Sequence, residues 1–197
     1  MRVITGIARG RKLIAPRGLA IRPTTDRVKA AIFSMLTAQA MREEAEDVFP
    51  YRTVLDLYAG SGALGIEALS RGSEHADFVE SDARARAAIE ENLRRTGLTS
   101  RASILALRAQ AAVSTFRTPY DLILADPPYD DRSTLAVLNI LGESPMVGQE
   151  TTVILEHARS QEVPASAGRL RLLRSRYHGT SAVSLYRAIE SGAWRSR

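Results

Sequence analysis

The segment Asp126-Pro127-Pro128-Tyr129 combines side chains that together can hold a planar molecule carrying an amino group. Two successive prolines stiffen the backbone and remove two N–H donors, so the Asp126 carboxylate and the Pro127 carbonyl become fixed hydrogen-bond acceptors. The ring of Tyr129 can stack on a planar base. Acceptors beside a stacking face suit the exocyclic NH₂ of a nucleobase. The segment follows an apolar stretch with the pattern of a buried strand, and ligands of open α/β sheets bind at the carboxyl ends of strands.

A glycine-rich segment from Asp56 to Gly65 is the second candidate site. Gly60, Gly62 and Gly65 match the spacing of a nucleotide-binding turn between a strand and a helix. Glycine permits the tight geometry of such a turn and the close approach of its backbone to a ligand. The same spacing also occurs in dinucleotide-binding domains, so the turn alone does not identify the nucleotide cofactor.

Glu80 lies at the end of the next predicted strand, 20 residues after Gly60. A carboxylate at this position can accept hydrogen bonds from both hydroxyls of a ribose. Asp82 could take the same role, but the acid within the strand is the better candidate. Glu80 fits a nicotinamide cofactor and S-adenosylmethionine equally well. The Asp126 segment favours S-adenosylmethionine, because hydride transfer needs no acceptors for an amino group.

Hydrophobic patterning predicts the strands and helices that must position these residues. Strands are expected at 53–57, 76–80, 102–107, 120–125 and 152–156. Helices are expected at 63–71, 83–95 and 132–141, with a short helix after the third strand. This alternation predicts a mostly parallel sheet with helices on both faces. Residues 169–177 and 181–188, joined around Gly179, predict an antiparallel hairpin at the sheet edge.

The first 50 residues have a different pattern. Residues 2–7 and 10–15 predict two short strands of a β-hairpin. Thr24 or Thr25 can cap a helix that continues to about residue 40, and Asp26 favours its first turn. A polar linker follows up to residue 50.

The basic excess of the chain is concentrated at its N-terminus. The net charge is +5. Residues 1–29 hold one acidic residue, Asp26, and eight basic ones, namely Arg2, Arg9, Arg11, Lys12, Arg17, Arg22, Arg27 and Lys29. Apolar residues are interleaved with them, which favours a folded surface over a disordered tail. A block of this kind predicts a polyanion as partner.

The amino-acid composition narrows the classes of protein to which the chain can belong. The chain has no cysteine, and its three histidines are far apart in sequence, so no metal site is expected. No segment is apolar enough for a signal peptide or a membrane span. We therefore expect a soluble cytoplasmic protein of one domain with a small appendage.

These motifs together resemble the bacterial small-subunit ribosomal RNA guanine-N2 methyltransferases of the RsmD type. The resemblance rests on the Asp126–Tyr129 segment, the glycine-rich segment, Gly10-Arg11-Lys12-Leu13 and residues 22–29. It covers residue 2 to about 188. It implies a Rossmann-like fold with a seven-stranded, mostly parallel sheet, an antiparallel C-terminal hairpin and an N-terminal β-hairpin and helix extension. The expected division is an RNA-binding extension at 1–50, a methyltransferase domain at 51–190 and a tail at 191–197.

The resemblance also implies roles for individual residues. Asp126, Pro127, Pro128 and Tyr129 would hold the target base. S-adenosylmethionine, whose product is S-adenosylhomocysteine, would be bound by Asp56, Tyr58, Ala59, Gly60, Ser61, Gly62 and Glu80. RNA would be contacted by Arg9, Arg11, Lys12, Arg22, Thr24, Asp26 and Arg27. The expected partner is 16S rRNA in the small ribosomal subunit or its assembly intermediate, and the expected state is a monomer.

Two positions depart from the family pattern. Many relatives carry an acidic residue after the third strand, near the adenine amino group of the cofactor, where this chain has Arg108-Ala109-Gln110-Ala111. Gln110 or a backbone group would have to substitute there. Relatives also often have Glu where Ala30 stands, and no functional reason for that difference follows from the sequence.

Three other functions compete with this interpretation. An adenine-N6 DNA methyltransferase shares the Asp-Pro-Pro-Tyr motif, but it normally needs a larger sequence-reading domain than 197 residues leave room for. An RNA-binding assembly factor could keep the fold without catalysis, and the intact motif argues against it. A nicotinamide oxidoreductase would differ in the cofactor that it binds.

Overall fold

Eight strands form one mixed sheet in the computed structural model, which describes residues 1–16, 25–47, 49–128 and 134–189. The strands are β1 (Thr53–Asp56), β2 (His75–Val79), β3 (Ala102–Leu105), β4 (Tyr120–Ala125), β5 (Val147–Ala158), β6 (Ser166–Ala167), β7 (Leu170–His178) and β8 (Ser181–Ala188). The helices are α1 (Asp26–Arg42), α2 (Ala63–Arg71), α3 (Ala83–Thr96), α4 (Ala109–Thr115) and α5 (Thr134–Glu143), with a 3₁₀ turn at Thr99–Arg101.

The strand order is β3-β2-β1-β4-β5-β8-β7-β6. Strands β1 to β5 are parallel, whereas β6, β7 and β8 pair antiparallel. Apolar side chains of α1, α2 and α3 pack on one face of the sheet, and those of α4 and α5 pack on the other. The predicted α/β fold is therefore confirmed.

The C-terminal part of the sheet differs in detail from the prediction. The hairpin of β7 and β8 is confirmed, with Gly179 in its turn at a φ of 63°. An eighth strand is added because Ser166 and Ala167 pair back onto the start of β7. Two residues are too few to show the alternating pattern from which strands are predicted. Strand β5 is also longer than expected, since it begins at Val147.

The N-terminal hairpin is present, but its strands are much shorter than predicted. Pairing is limited to a bridge between Arg2 and Lys12, with hydrogen bonds from Val3 N–H to the Arg11 carbonyl (3.0 Å) and from Leu13 N–H to the Met1 carbonyl (3.1 Å). The N–H groups of Ile4, Thr5, Ile7 and Ala8 instead donate to helix α2, the first two to the Glu67 carboxylate and the other two to Ser70. A longer ladder cannot form because those donors are already used.

Helix α1 begins where the sequence predicts. The Thr25 hydroxyl accepts a hydrogen bond from Val28 N–H at 3.2 Å, and Asp26 lies in the first turn. Residue 24, the other predicted cap, lies outside the described residues. The buried stripe of Val28, Ile32 and Leu36 joins the core that also contains Val3 and Leu13 of the N-terminal segment.

A buried carboxylate on α2, Glu67, joins this helix to α1 and to the N-terminal segment. Glu67 accepts hydrogen bonds from Ile4 N–H (2.7 Å), Thr5 N–H (3.0 Å) and the Arg71 guanidinium (2.9 Å). The Lys29 ammonium of α1 lies 3.6 Å from the same carboxylate, and neither side chain is exposed. Burial lowers the pKa of Lys29, and the Glu67 charge opposes that shift. The three segments therefore depend on one carboxylate.

Two structural features are absent from the described part of the chain. None of its helices is long and apolar enough to cross a membrane. None of its His, Asp and Glu side chains form a group of three or more that could hold a metal ion.

The substitution Glu67→Gln should lower the free energy of unfolding by about 3 kcal/mol, because it removes the buried counter-charge of the Lys29 ammonium and leaves only the partly exposed Asp26, 4.0 Å away. Urea denaturation measures this. Glu91→Gln is the control, since Glu91 also pairs with two basic side chains, those of Arg94 and Arg95, but at the surface, where such pairs contribute little. Equal effects of the two substitutions would contradict the role given to Glu67.

Candidate active site

The loop that follows β1, residues 57–62, is here called the glycine turn. Gly60 and Gly62 have positive φ angles of 55° and 76°, which only glycine adopts without strain. The turn is closed by a hydrogen bond from Gly62 N–H to the Ala59 carbonyl (2.6 Å), and α2 begins directly after it. The predicted strand–turn–helix unit of a nucleotide site is therefore present.

Gly65 serves the packing of this unit. A Cβ atom at Gly65 would lie 2.4 Å from the ring of Phe78 in β2, so a side chain there would push α2 away from the sheet. The third glycine of the motif thus sets the distance between helix and strand. It keeps the first turn of α2 close to the end of β1.

The structure brings Glu80 to the glycine turn. One Glu80 carboxylate oxygen accepts a hydrogen bond from Gly60 N–H (2.9 Å), and the other accepts one from Asp82 N–H (2.8 Å). Asp82, the competing acid, caps α3 by accepting from Arg84 N–H and Ala85 N–H. Its pKa is lowered, chiefly by the hydrogen bond from the Arg84 side chain. Glu80 is therefore the carboxylate available at the rim of the turn.

Asp56 is buried beneath the same turn. One of its oxygens accepts a hydrogen bond from Gly65 N–H (3.0 Å), and the other has no hydrogen-bond partner among the described residues. Burial raises the pKa of Asp56 to about 7, and the Glu80 charge adds to the rise that the Gly65 N–H opposes. A buried acceptor without a partner is suited to a donor or a cation brought by a ligand.

Asp126, Pro127 and Pro128 lie directly after β4. Asp126 is half-buried, Pro127 is buried and Pro128 is exposed. Tyr129 lies outside the described residues. In the sheet Leu124 pairs with Asp56, so Asp126 stands two residues beyond the end of β1 on the adjacent strand. The loop that begins at Asp126 therefore lies next to the glycine turn.

These two loops flank the point where the chain changes direction in the sheet. From β1 the chain proceeds through β2 and β3 to one edge, and β4 then begins on the other side of β1. The loops after β1 and β4 consequently diverge to opposite faces and leave a crevice between them. In open α/β sheets this crevice is where ligands bind.

The other residues predicted for the cofactor lie around this crevice. Ala59 is buried, and Tyr58 and Ser61 are partly exposed in the glycine turn. Gln110 is exposed in the first turn of α4, which follows β3 at the same sheet edge. Among the described residues, the Gln110 side chain makes no hydrogen bond to the glycine turn. Its role in binding the cofactor stays a prediction.

The residues predicted to contact RNA fall into three groups. Arg9, Arg11, Lys12 and Arg27 are exposed, as a phosphate-binding surface requires. Asp26 instead accepts a hydrogen bond from Arg2 N–H (3.3 Å) and helps to hold the N-terminal segment on α1. Arg22 and Thr24, which were predicted to contact RNA, lie outside the described residues.

Asn92 of α3 was not predicted and is fully buried. Its amide nitrogen donates to the Ser61 carbonyl of the glycine turn (2.8 Å) and to the Ile14 carbonyl (3.0 Å), while its oxygen accepts from Ile14 N–H (2.8 Å). One amide group thus fixes the glycine turn and the end of the N-terminal segment. The helical stripe of Ile89 and Leu93 places position 92 on the buried face, which is the signal that could have found it.

The fold and the two adjacent loops define a methyltransferase of the Rossmann-like class. The chain belongs to the family described as "Conserved hypothetical protein 95", whose model matches residues 1–187.

Named relatives match nearly the whole chain. "Putative rRNA methyltransferase YlbH" of Bacillus subtilis (strain 168) is 38% identical over 95% of this chain and 98% of its own length. "Ribosomal RNA small subunit methyltransferase D" of Escherichia coli (strain K12) is 30% identical over 98% of this chain and 92% of its own. The solved structure titled "Putative methyltransferase yhhF from Escherichia coli" superposes with a TM-score of 0.78 at 31% identity, covering 96% of this chain and 98% of that one.

The substitution Asp56→Asn should make stability less dependent on pH. Asp56 has a folded-state pKa of about 7 against an ordinary value of 3.8, so its stabilising contribution is complete below the lower value and is lost as pH rises to the higher one. We expect the difference in melting temperature, variant minus unmodified chain, to increase as the pH is raised from 3.8 to about 7. Differential scanning calorimetry measures it.

Asp82→Asn is the control for this experiment. Asp82 is partly exposed and its pKa is lowered, so its loss should give no such trend over the same pH range. A constant difference between Asp56→Asn and the unmodified chain would contradict the raised pKa of Asp56.

Proposed function

We propose that this protein transfers a methyl group from S-adenosylmethionine to the N2 amino group of a guanine in 16S rRNA. The observation that carries the proposal is the adjacency of the glycine turn after β1 and the Asp126-Pro127-Pro128 loop after β4. One loop has the features of a cofactor site, and the other has the acceptors that an amino group needs. The names of the relatives support ribosomal RNA as the substrate, and the motif resemblance supports guanine N2.

The residues around the glycine turn fit the proposed cofactor. Glu80 would accept hydrogen bonds from the ribose hydroxyls in place of those that it now accepts from Gly60 and Asp82. The Asp56 oxygen that has no partner among the described residues would face the positively charged amino end of the cofactor. A cation there would offset the cost of burying the Asp56 charge. The cofactor supplies an activated methyl group when it is bound.

The residues after β4 would orient the acceptor amine. Asp126 and the Pro127 carbonyl would accept hydrogen bonds from the two amino N–H groups, which turns the nitrogen lone pair toward the cofactor. Fixing the nitrogen in line in this way can lower the barrier by several kcal/mol. The Asp126 charge would also stabilise the positive charge that develops on nitrogen. A strong base is not needed, because the nitrogen becomes acidic as it is methylated and can release one proton to Asp126 or to water.

The target guanine must leave any base pair to reach this crevice. We propose that Tyr129 stacks on it. The exposed residues Arg9, Arg11, Lys12 and Arg27 would contact phosphates of the flanking RNA, together with Arg22 and Thr24. Such contacts predict an affinity for RNA that falls steeply with salt concentration.

The proposal is tested with small-subunit particles that lack the modification. The protein is incubated with them and labelled S-adenosylmethionine, and the product nucleoside is identified by mass spectrometry. We expect N2-methylguanosine. If the product is N6-methyladenosine, the reaction type is as proposed but the target base is adenine and not guanine. Cofactor binding without methyl transfer to RNA would favour a non-catalytic assembly factor.

The substitution Asp126→Ala should reduce turnover in this assay by about a hundredfold, because it removes a charged acceptor from the developing cation. Asp126→Asn keeps a carbonyl acceptor at the same place and should lose less. Affinity for S-adenosylhomocysteine, measured by calorimetry, should be unchanged in both. Turnover of Asp126→Ala near that of the unmodified protein would exclude the assigned role.

A further inference from the structure

The end of the β7–β8 hairpin carries an exposed aromatic ring beside arginines. Tyr177 is 61% exposed, and the Arg159 guanidinium carbon lies 5.2 Å from the centre of its ring. Arg176, the neighbour of Tyr177, is also exposed. Arg159, Arg176 and Tyr177 are here called the hairpin tip. None of them belongs to the surfaces described so far.

The hairpin tip lies at the same edge of the sheet as the candidate active site. Ser181, the first residue of β8, pairs with Ala158 at the carboxyl end of β5, and Arg159 N–H donates to the Thr180 carbonyl (2.8 Å). Strand β5 in turn pairs in parallel with β4, which leads into Asp126. Three strand spacings, roughly 15 Å, separate β7 from β4. A single RNA loop can span that distance.

The charge of this region fits RNA. Near the tip, residues 157–163 and 172–180 contain one acidic residue, Glu162, and three arginines, namely Arg159, Arg174 and Arg176. Basic side chains on an outer strand have a second possible purpose, which is to prevent the strand from pairing with other chains. That purpose does not require an exposed aromatic ring held against a guanidinium. Aromatic rings and guanidinium planes are the groups on which unpaired RNA bases stack.

We propose that the hairpin tip is a second RNA-contacting surface, where an unpaired base of the substrate stacks on Tyr177 and Arg159 and Arg176 contact the adjacent phosphates. The inference rests on the proposed function for the identity of the RNA. The N-terminal segment and the hairpin tip would then hold the RNA on two sides of the crevice. The target base would be presented between two points of attachment.

The test measures affinity for unmodified 16S rRNA, with S-adenosylhomocysteine present. Tyr177→Ala should weaken binding about tenfold, because one stacked base is lost. Tyr177→Phe keeps the ring and should stay within about twofold of the unmodified protein. The double variant Arg159→Ala/Arg176→Ala should reduce the slope of log affinity against log salt by about 1.4. Leu173→Ala is the matched control, since Leu173 is exposed on the same strand but carries no ring.

Unchanged affinity of Tyr177→Ala would overturn the proposal. So would a loss seen with small-subunit particles but absent with protein-free rRNA, because the partner would then be a ribosomal protein. The proposed function is judged separately, by methyl transfer with the unmodified protein. If the protein transfers the methyl group but Tyr177→Ala does not change RNA affinity, only the role of the hairpin tip is overturned. If RNA affinity depends on Tyr177 but no methyl transfer occurs, only the proposed catalytic function is overturned.

Discussion

The reversal of winding direction between β1 and β4 is the constraint on which the site depends. Because β2 and β3 are added on one side of β1 and β4 and β5 on the other, the helices that follow lie on opposite faces of the sheet. The glycine turn and the Asp126 loop are therefore adjacent without blocking each other. The register of the parallel strands then places the two loops at the same level along the sheet edge, since Asp56 of β1 pairs with Leu124 of β4. The two candidate loops meet there for topological reasons, before any side chain is considered.

The N-terminal segment is attached to this framework by buried polar groups. Glu67 takes the N–H groups of Ile4 and Thr5, and Asn92 takes both polar groups of Ile14. Both attachments reach helices that pack behind the glycine turn, and Asn92 also binds the turn itself. The basic surface and the proposed cofactor site are thus held by the same short network. A displacement of the basic N-terminal segment should therefore be transmitted to the glycine turn through Asn92.

Local signals were sufficient for the elements that surround the site. Strand β4 and helix α2 match their predicted bounds, because an apolar run ending in Asp-Pro and a helix between glycines carry clear start and stop signals. The short N-terminal pairing could not be foreseen, since its donors are taken by Glu67, more than 60 residues away. Lys29 was predicted as part of a basic surface and is buried instead. Its spacing of three residues from Ile32 was the available sign that it lies on the core face.

Amide hydrogen exchange with and without S-adenosylhomocysteine tests most directly whether the crevice between β1 and β4 is the cofactor site. Slower exchange is expected in residues 57–62 and 80–82 on addition of the ligand, because the glycine turn and Glu80 would be covered. Exchange in β7 should change little without RNA. Binding of the ligand with unchanged exchange in the glycine turn, and protection elsewhere, would contradict the account.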